Sequence, residues 1–506
     1  FMKVTFQIEG GSPVTLECNA GDNLLELARR GNIAIDAPCS GNGSCGKCRV
    51  KLIEGEVDSI PSRHISDEEY KEGWRLSCNC KVASDCVVFV PDIASAYQSR
   101  MKTADLSSPE EVAIFTQAQE GLQNSGIVFE NNCRAVAVSM DAPSLEDTMP
   151  DNERLVWALQ AQLGDVEVKL PFAVMQKMAK VLRENDFSVC VKGVLEDDTF
   201  LCMDICAPTD TALVGCAIDI GTTTVTMVLT DLATGKLLAK GSSGNGQIRY
   251  GADVINRIIE SGKPGGRKNL QNAIIKDTLT PVMAKLCQEA GINCSSILRL
   301  CIASNTTMNH LLLGVDAEPV RMEPYIPSFF AWQDLTAGDL KLPANPLAKV
   351  ILAPNIGSYV GGDITAGTLA AGFWDKDELS LFIDLGTNGE LVFGNRDFLM
   401  SCACSAGPAF EGGDISCGMR ATDGAVEACV LDKDTMEPTL TIIGEPGQKC
   451  VGICGSGIID IIAELFRCGI INAKGLFVRE GARVRRDAHG MGRFVLADCN
   501  ETETGR

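Results

Sequence analysis

Histidine is almost missing: His64, His310 and His489 are the only three in 506 residues. So few imidazoles argue against histidine-rich zinc sites and against Ser-His or Cys-His catalysis. Aromatic residues reach only 5%, too few for an aromatic-cored all-β fold. Positive charge is in deficit, with Lys+Arg 45 against Asp+Glu 66 and a net charge of −21. A chain this acidic lacks the basic footprint that phosphate backbones require, so nucleic acid is not an expected partner. Long apolar runs are missing too. The longest weakly polar stretch, Val350–Trp374, holds Asp363 and several glycines, and reads as buried strand and glycine loop rather than a membrane span. No targeting segment is visible, so a cytoplasmic location is expected.

What is abundant is glycine, 50 residues, and cysteine, 23. The cysteine count is odd and the chain is long, which fits free thiols in a reducing cytosol better than a disulfide framework. The hydrophobic share of 45% is that of an ordinary globular protein. The length predicts several domains.

Residues 1–92 read as small strands with one helix. Met2–Glu9 and Pro13–Glu17 alternate as a hairpin about Gly10 and Gly11. Asp22–Arg29 has helical spacing with Asp22 as its N-cap. Residues 93–125 have linker composition, partly helical over Pro109–Leu122. Residues 126–208 form a small mixed α+β segment without a chemical motif, with a strand at Val136–Val138, helices at Asp151–Gln162 and Phe172–Arg183, and a strand pair within Val194–Ile205. From residue 209 to 506 a larger α/β region begins with a buried strand near Val214.

Four cysteines stand out. Cys39, Cys45, Cys48 and Cys78 are spaced C-x5-C-x2-C, then 29 residues, then C. Glycines between the first three let the backbone wrap a bulky inorganic group. A [2Fe–2S] cluster needs four thiolates, three from such a loop and one from a distant segment. A four-cysteine zinc site, buried thiols and a redox-active CGKC are the alternatives. Zinc usually takes two C-x2-C pairs, and CGKC here runs straight into the strand-like RVKLIEG.

A long-range repeat is the second signal. AIDIGTTTVTMVLTD and FIDLGTNGELVFG both run apolar strand, Asp-x-Gly-Thr, apolar strand. A glycine turn exposes N–H groups to a phosphate, threonine hydroxyls add donors, and the aspartate can hold Mg²⁺ through water. Two such hairpins, 165 residues apart, argue for duplicated halves closing over one nucleotide. A third cluster, GICGSGIIDIIAELF, opens an amphipathic helix on a Gly-Ser-Gly turn that can lie against an adenosine. Asp363, Asp253 and Glu411 are acids beside glycines or apolar strands. Each is a candidate for orienting water or holding Mg²⁺, and Asp253 reads best as a helix cap. Cys402, Cys404, Cys417, Cys450 and Cys454 match no cluster spacing and read as buried thiols.

The block APCSGNGSCGKCRVKLIEG…WRLSCNC resembles the plant- and adrenodoxin-type [2Fe–2S] ferredoxins across nearly all of residues 1–92. That resemblance implies a β-grasp fold and makes Cys39, Cys45, Cys48 and Cys78 the cluster ligands, with Cys80 a buried thiol. Residues from about Val214 to Phe477 resemble the ASKHA superfamily of actin-like, ribonuclease H-like ATPases. Asp219, Gly221, Thr222 and Thr223 fall on its first phosphate motif. Asp384, Gly386, Thr387, Asn388 and Gly389 fall on the second, and Gly455, Ser456 and Gly457 on the adenosine motif. Ile302–Gly314 falls on its first connecting segment.

A ferredoxin joined to an ASKHA ATPase looks like the reductive activators of corrinoid proteins. The resemblance implies ATP-dependent transfer of one electron from the cluster to a Co(II) corrinoid, giving Co(I). It implies a corrinoid protein as partner and an upstream low-potential electron donor, and it leaves room for a homodimer. It makes Asp219 and Asp384 acids that handle ATP and Mg²⁺, and Asp363, an acid beside glycines, is the third catalytic candidate. It also implies further elements after the adenosine motif, so the chain reads as truncated at its C-terminus. A redox-regulated small-molecule kinase and a non-catalytic electron-transfer or nucleotide-sensing adaptor are the alternatives. The kinase would need an acceptor pocket and a base; the adaptor would show no partner-stimulated ATP turnover.

Overall fold

The computed structural model describes residues 2–9, 12–31, 33, 35–37, 41, 43, 46–62, 64–91, 108–251, 253–386, 388–404, 415, 417–419, 421, 423–486 and 490–503. Cys39, Cys45, Thr387 and Glu411 lie outside the described residues.

The first unit is a sheet of five strands in the order Val14–Cys18, Met2–Ile8, Cys86–Val90, Arg49–Glu54, Trp74–Leu76. Met2–Ile8 pairs antiparallel with Val14–Cys18 and parallel with Cys86–Val90. Alternation sends Val4 and Phe6 inward, where they meet Leu24, Leu25, Leu27 and Ala28 of the helix Leu24–Arg30. This is a β-grasp arrangement. The helix cap is Asn23, whose side chain accepts from the N–H groups of Leu25 and Glu26. Asp22 was expected there. Its carboxylate instead accepts from the Asn19 N–H and pairs with Arg30, and its backbone carbonyl accepts from Val82.

A lone helix, Pro109–Asn124, leads to a four-stranded sheet ordered Cys133–Ser139, Ser188–Glu196, Thr199–Cys206, Glu167–Lys169. Helices Asp151–Leu163 and Phe172–Glu184 cover one face through Leu155, Leu159, Val174, Met178 and Leu182. Cys133, Val194 and Met203 of the sheet join the core of the unit that begins at Val214. The Lys192 side chain is fully buried and donates to Asp210 at 2.6 Å and to Ser296 at 2.9 Å. This segment is therefore welded to its C-terminal neighbour.

The next sheet has the order Leu237–Gly244, Thr224–Asp231, Val214–Ile220, Ile297–Ser304, Lys349–Leu352. Its first three strands form an antiparallel meander, and the last two add parallel to Val214–Ile220. That is the strand order of a ribonuclease H-like half. Helices Val254–Ser261, Gly266–Ile274 and Thr306–Leu313 contribute to its large apolar core. Val350–Trp374, read as strand and loop, contains the strand Lys349–Leu352 and also a helix, Gly362–Ala371. The small residues Ala366, Gly367, Ala370 and Ala371 gave no helical stripe to read.

The remaining residues build a meander, Ser380–Leu385, Gly389–Gly394, Leu399–Cys404, and a second small sheet, Pro438–Ile442, Ala425–Leu431, Gly452–Ile453, against which the helix Gly455–Arg467 packs. Cys450 and Cys454 are buried as expected, whereas Cys402, Cys404 and Cys417 are exposed. Cys402 and Cys404 lie on the outer strand of the meander, which has no further strand beyond it among the described residues. Among the described residues no helix is long and apolar enough to cross a membrane.

Candidate functional site

Two sites are built by these folds. In the first unit, Cys48 ends the glycine loop and Cys78 sits in the short turn Ser77–Asn79. The two sulfurs are 3.2 Å apart. The Ser77 N–H donates to the Cys48 carbonyl at 2.8 Å, fixing the two segments together. Gly41 and Gly46 have φ of +90° and +69°, values that side chains resist, so the loop needs glycine to curl around these sulfurs. Cys80 is fully buried, and desolvation pushes its thiol up to about 12. It faces the β-grasp core with Val82. The Cys48 and Cys78 sulfurs, brought together from a loop with left-handed glycines and from the turn Ser77–Asn79, fit an iron–sulfur cluster.

The second site begins at the hairpin joining Val214–Ile220 to Thr224–Asp231. Gly221 donates to the Thr224 carbonyl at 2.9 Å, and Thr222 is nearly buried. Thr222 is held from two sides. Asn305, N-cap of helix Thr306–Leu313, donates to its hydroxyl at 3.2 Å, and Arg257 donates to its carbonyl at 2.5 Å. Asn245 donates to the Gly221 carbonyl at 2.8 Å. The expected first connecting segment thus braces the first phosphate hairpin. Asp253 is the N-cap of helix Val254–Ser261 and accepts from Asn256 N–H, so it serves the backbone as read.

Asp363 lies in the first turn of helix Gly362–Ala371. A Cβ at Gly361 would sit 2.4 Å from the Asn305 Cα, so only glycine lets this helix start against the connecting segment. Asp384 ends the strand Ser380–Leu385 beside Gly386, which donates to the Asn388 carbonyl at 3.0 Å.

The acids feel one another. Asp219 is reached by solvent on one side and walled by protein on the others; burial, then repulsion from Asp384, raises it to about 6. Asp363 also rises to about 6, through burial and then the charges of Asp384 and Asp219. Sequence reading missed a fourth acid, Glu390. It is directly opposite Asp384 in the hairpin register, it is only 7% exposed, and burial with Asp363 and Asp384 pushes it to about 7. The pairing was readable, because a tight hairpin sets residues on either side of its turn face to face. Arg257, Asn245 and Asn305 were missed as well; none belongs to a phosphate motif. Among the described residues no three ligand side chains converge to grip an ion directly. Mutually repelling acids beside a hairpin of N–H and hydroxyl groups are nonetheless suited to a cation carried with phosphates.

Gly455, Ser456 and Gly457 are not gathered with these acids by any bond among the described residues. They open helix Gly455–Arg467, where a Cβ at Gly457 would sit 2.0 Å from the Val426 carbonyl. Gly457 thus lets the helix lie on strand Ala425–Leu431. His310 is also structural: buried, it bonds Thr306 and Ser328 through its two nitrogens and stacks on Phe329.

Fold and site define a [2Fe–2S] ferredoxin fused to an ASKHA nucleotide-binding unit. Residues 7–83 match the family described as 2Fe-2S iron-sulfur cluster binding domain, 123–200 the RACo linker region, 214–376 the RACo middle region, and 378–506 the C-terminal domain of RACo, the ASKHA domain. A solved structure titled reductive activator for corrinoid, iron-sulfur protein is 33% identical, with a TM-score of 0.58; the match covers 100% of this chain and 79% of that one. The chain belongs to this family of corrinoid-protein reductive activators. The corrinoid activation enzyme RamQ of Eubacterium limosum is 37% identical over 289 residues, 57% of this chain and 47% of that protein. A component of the Na⁺-translocating NADH-quinone reductase of Actinobacillus succinogenes is 38% identical over 91 residues, 18% of this chain and 22% of that protein. The chain thus spans less than half the length of the curated relatives it matches.

Proposed function

We propose that this chain reduces the cobalt of a corrinoid protein from Co(II) to Co(I), one electron at a time, with ATP hydrolysis driving the transfer. The observation that carries the reading is the presence, in one chain, of a sulfur pair in a β-grasp unit and a set of mutually repelling carboxylates on an ASKHA hairpin frame. Cys39, Cys45, Cys48 and Cys78 would hold the [2Fe–2S] cluster, which stores the single electron. Each electron passed on must be replaced by an upstream low-potential donor. The free cysteines of the described residues suit a reducing cytoplasm.

In the nucleotide cleft, the hairpin around Gly221–Thr223 binds phosphate through N–H and hydroxyl groups, while Arg257 and Asn305 hold it in shape. Asp219 and Asp384 would be the residues that hold Mg²⁺, which would neutralise phosphate charge. Asp363 would take the proton of the attacking water, and its raised affinity for protons suits that task near neutrality. Gly386, Thr387, Asn388 and Gly389 would serve the terminal phosphate, and Gly455, Ser456 and Gly457 the adenosine. Plant-type clusters sit near roughly −400 mV, and the family's cobalt couple lies lower, so transfer alone favours Co(II). ATP must change which complex is stable.

The test is the visible spectrum of a Co(II) corrinoid protein mixed anaerobically with this chain and a reductant, with and without Mg-ATP. Accumulation of Co(I) only with Mg-ATP supports the proposal. Equal Co(I) in both mixtures, or phosphorylation of a small-molecule acceptor in place of cobalt reduction, overturns it.

A further inference from the structure

The ferredoxin helix and the nucleotide unit meet at a buried ionic cluster. Arg29, in the last turn of helix Leu24–Arg30, is 4% exposed, and Glu260 of helix Val254–Ser261 is 2% exposed. Arg29 donates to Glu260 at 3.1 Å and to Glu26 at 3.0 Å. Lys263 reaches the same two acids at 2.9 Å and 3.0 Å. Asn269 adds a bond to the Arg29 carbonyl at 3.4 Å. Charges are taken out of water at such cost that a pair of this kind holds only in a defined docking geometry.

Each helix leads on to a functional loop. At the other end of the ferredoxin helix, Asn23 donates to the Cys78 carbonyl at 2.8 Å. Leu25 packs beside Gly41, where a Cβ would lie 3.1 Å from the Leu25 side chain and 3.6 Å from the Cys78 Cβ. On the second helix, Arg257 lies one turn before Glu260, hence on the same side. Its fully buried guanidinium bonds the Thr222 carbonyl of the phosphate hairpin at 2.5 Å and the Gly251 carbonyl at 2.9 Å. The two helices therefore join the cluster loop to the phosphate hairpin through one ionic cluster of Arg29, Glu26, Glu260 and Lys263.

We propose that Arg29 and Glu260 seat the ferredoxin domain on the nucleotide domain, and that Arg257 ties this seat to the phosphate hairpin, so that domain seating and nucleotide binding are linked. Arg29, Glu260 and Arg257 are positioning residues. The inference rests on the nucleotide assignment above but not on the corrinoid one. Contiguity alone does not establish coupling; linkage makes it measurable, because whatever seating does to nucleotide affinity, nucleotide does to seating.

The experiment uses the full chain with its cluster loaded. Hydrogen exchange is followed in peptides covering Leu24–Arg30 and Val254–Gly266, and Mg-ATP affinity is measured by calorimetry. Glu260→Arg should deprotect both peptides and shift the Mg-ATP dissociation constant at least about fivefold, the lower end of ordinary couplings. The double variant Arg29→Gln/Glu260→Gln should change both readouts by less than the summed effects of Arg29→Gln and Glu260→Gln, because each single change already breaks the same contact. Glu260→Gln serves as the milder variant, and unchanged cluster absorption certifies the ferredoxin fold in each. Unchanged exchange in both single variants overturns the seat. Deprotection with an affinity within twofold of wild type overturns the link. Additive effects of Arg29→Gln and Glu260→Gln on both readouts overturn the assignment to these two residues. Absence of cobalt reduction by any variant would count against the corrinoid reading alone.

Discussion

Glu390→Gln isolates the electrostatic cost of the nucleotide cleft. The wild-type carboxyl is held near 7, against 4.5 when unconfined. A folded-state value above the unfolded one means that the native protein binds the extra proton, so the stabilisation is complete below about pH 4.5 and is lost as pH rises through 7. From those two values, wild type should lose about 1.3 kcal/mol between pH 6 and pH 8 through this group alone. The side chain is buried, but the cleft beside it is open to screening, so this is a ceiling. On a domain of this size it amounts to roughly 3–5 °C in melting temperature. The assay is scanning calorimetry of the full chain in dilute buffers at pH 6, 7 and 8, following the nucleotide-domain transition. Glu390→Gln should show a pH slope shallower by that amount. Mg²⁺ should raise the wild-type transition more at pH 8 than at pH 6, because only the ionised cleft attracts it. Parallel slopes for wild type and variant would refute the argument, since the burial and repulsion assigned to Glu390 would then not exist.

Cys78→Ser should lose most of the visible absorption and acid-labile sulfide, while Cys80→Ser, altering a core thiol, should keep them; the reverse pattern would exchange their roles. Asp219→Asn and Asp384→Asn should bring ATP turnover to background in a phosphate-release assay and leave the cluster spectrum intact. Asp210→Ala should cost about 1–3 kcal/mol in a denaturant titration by leaving Lys192 buried with only Ser296, whereas Lys192→Met, which removes the charge itself, should cost less.

Much of the fold was legible because its signals are local. Alternation marked Met2–Ile8 and Val14–Cys18, and helical spacing marked Asp151–Leu163 and Phe172–Glu184 within a residue or two of their ends. Where local signals competed, the reading slipped. Asp22 and Asn23 are both good caps, and the choice went to Asn23 because the Asp22 carbonyl is taken up by Val82 and its carboxylate by Asn19 and Arg30. The 126–208 segment read as a body apart. Nothing in its own residues says that Val194 and Met203 complete a neighbour's core, or that Lys192 finds its partners in Asp210 and Ser296.

The site divides in the same way. Motifs name groups that must touch a ligand, and Asp219, Asp384 and the paired hairpins were visible on that ground. What motifs omit is the scaffold that makes those groups costly to hold. Glu390 lies four residues beyond Gly386, in plain sight, but its importance comes from cross-strand pairing with Asp384 and from burial, neither of which a turn motif encodes. Asp363 owes its place to Gly361, which lets one helix start against the cap of another. Like charges gathered in this way work against folding, and a cation held among them would offset that cost. An activator that must tell a nucleotide-bound state from an empty one has use for such an offset, because differential stabilisation is the only quantity a ligand can spend on shifting a conformational balance.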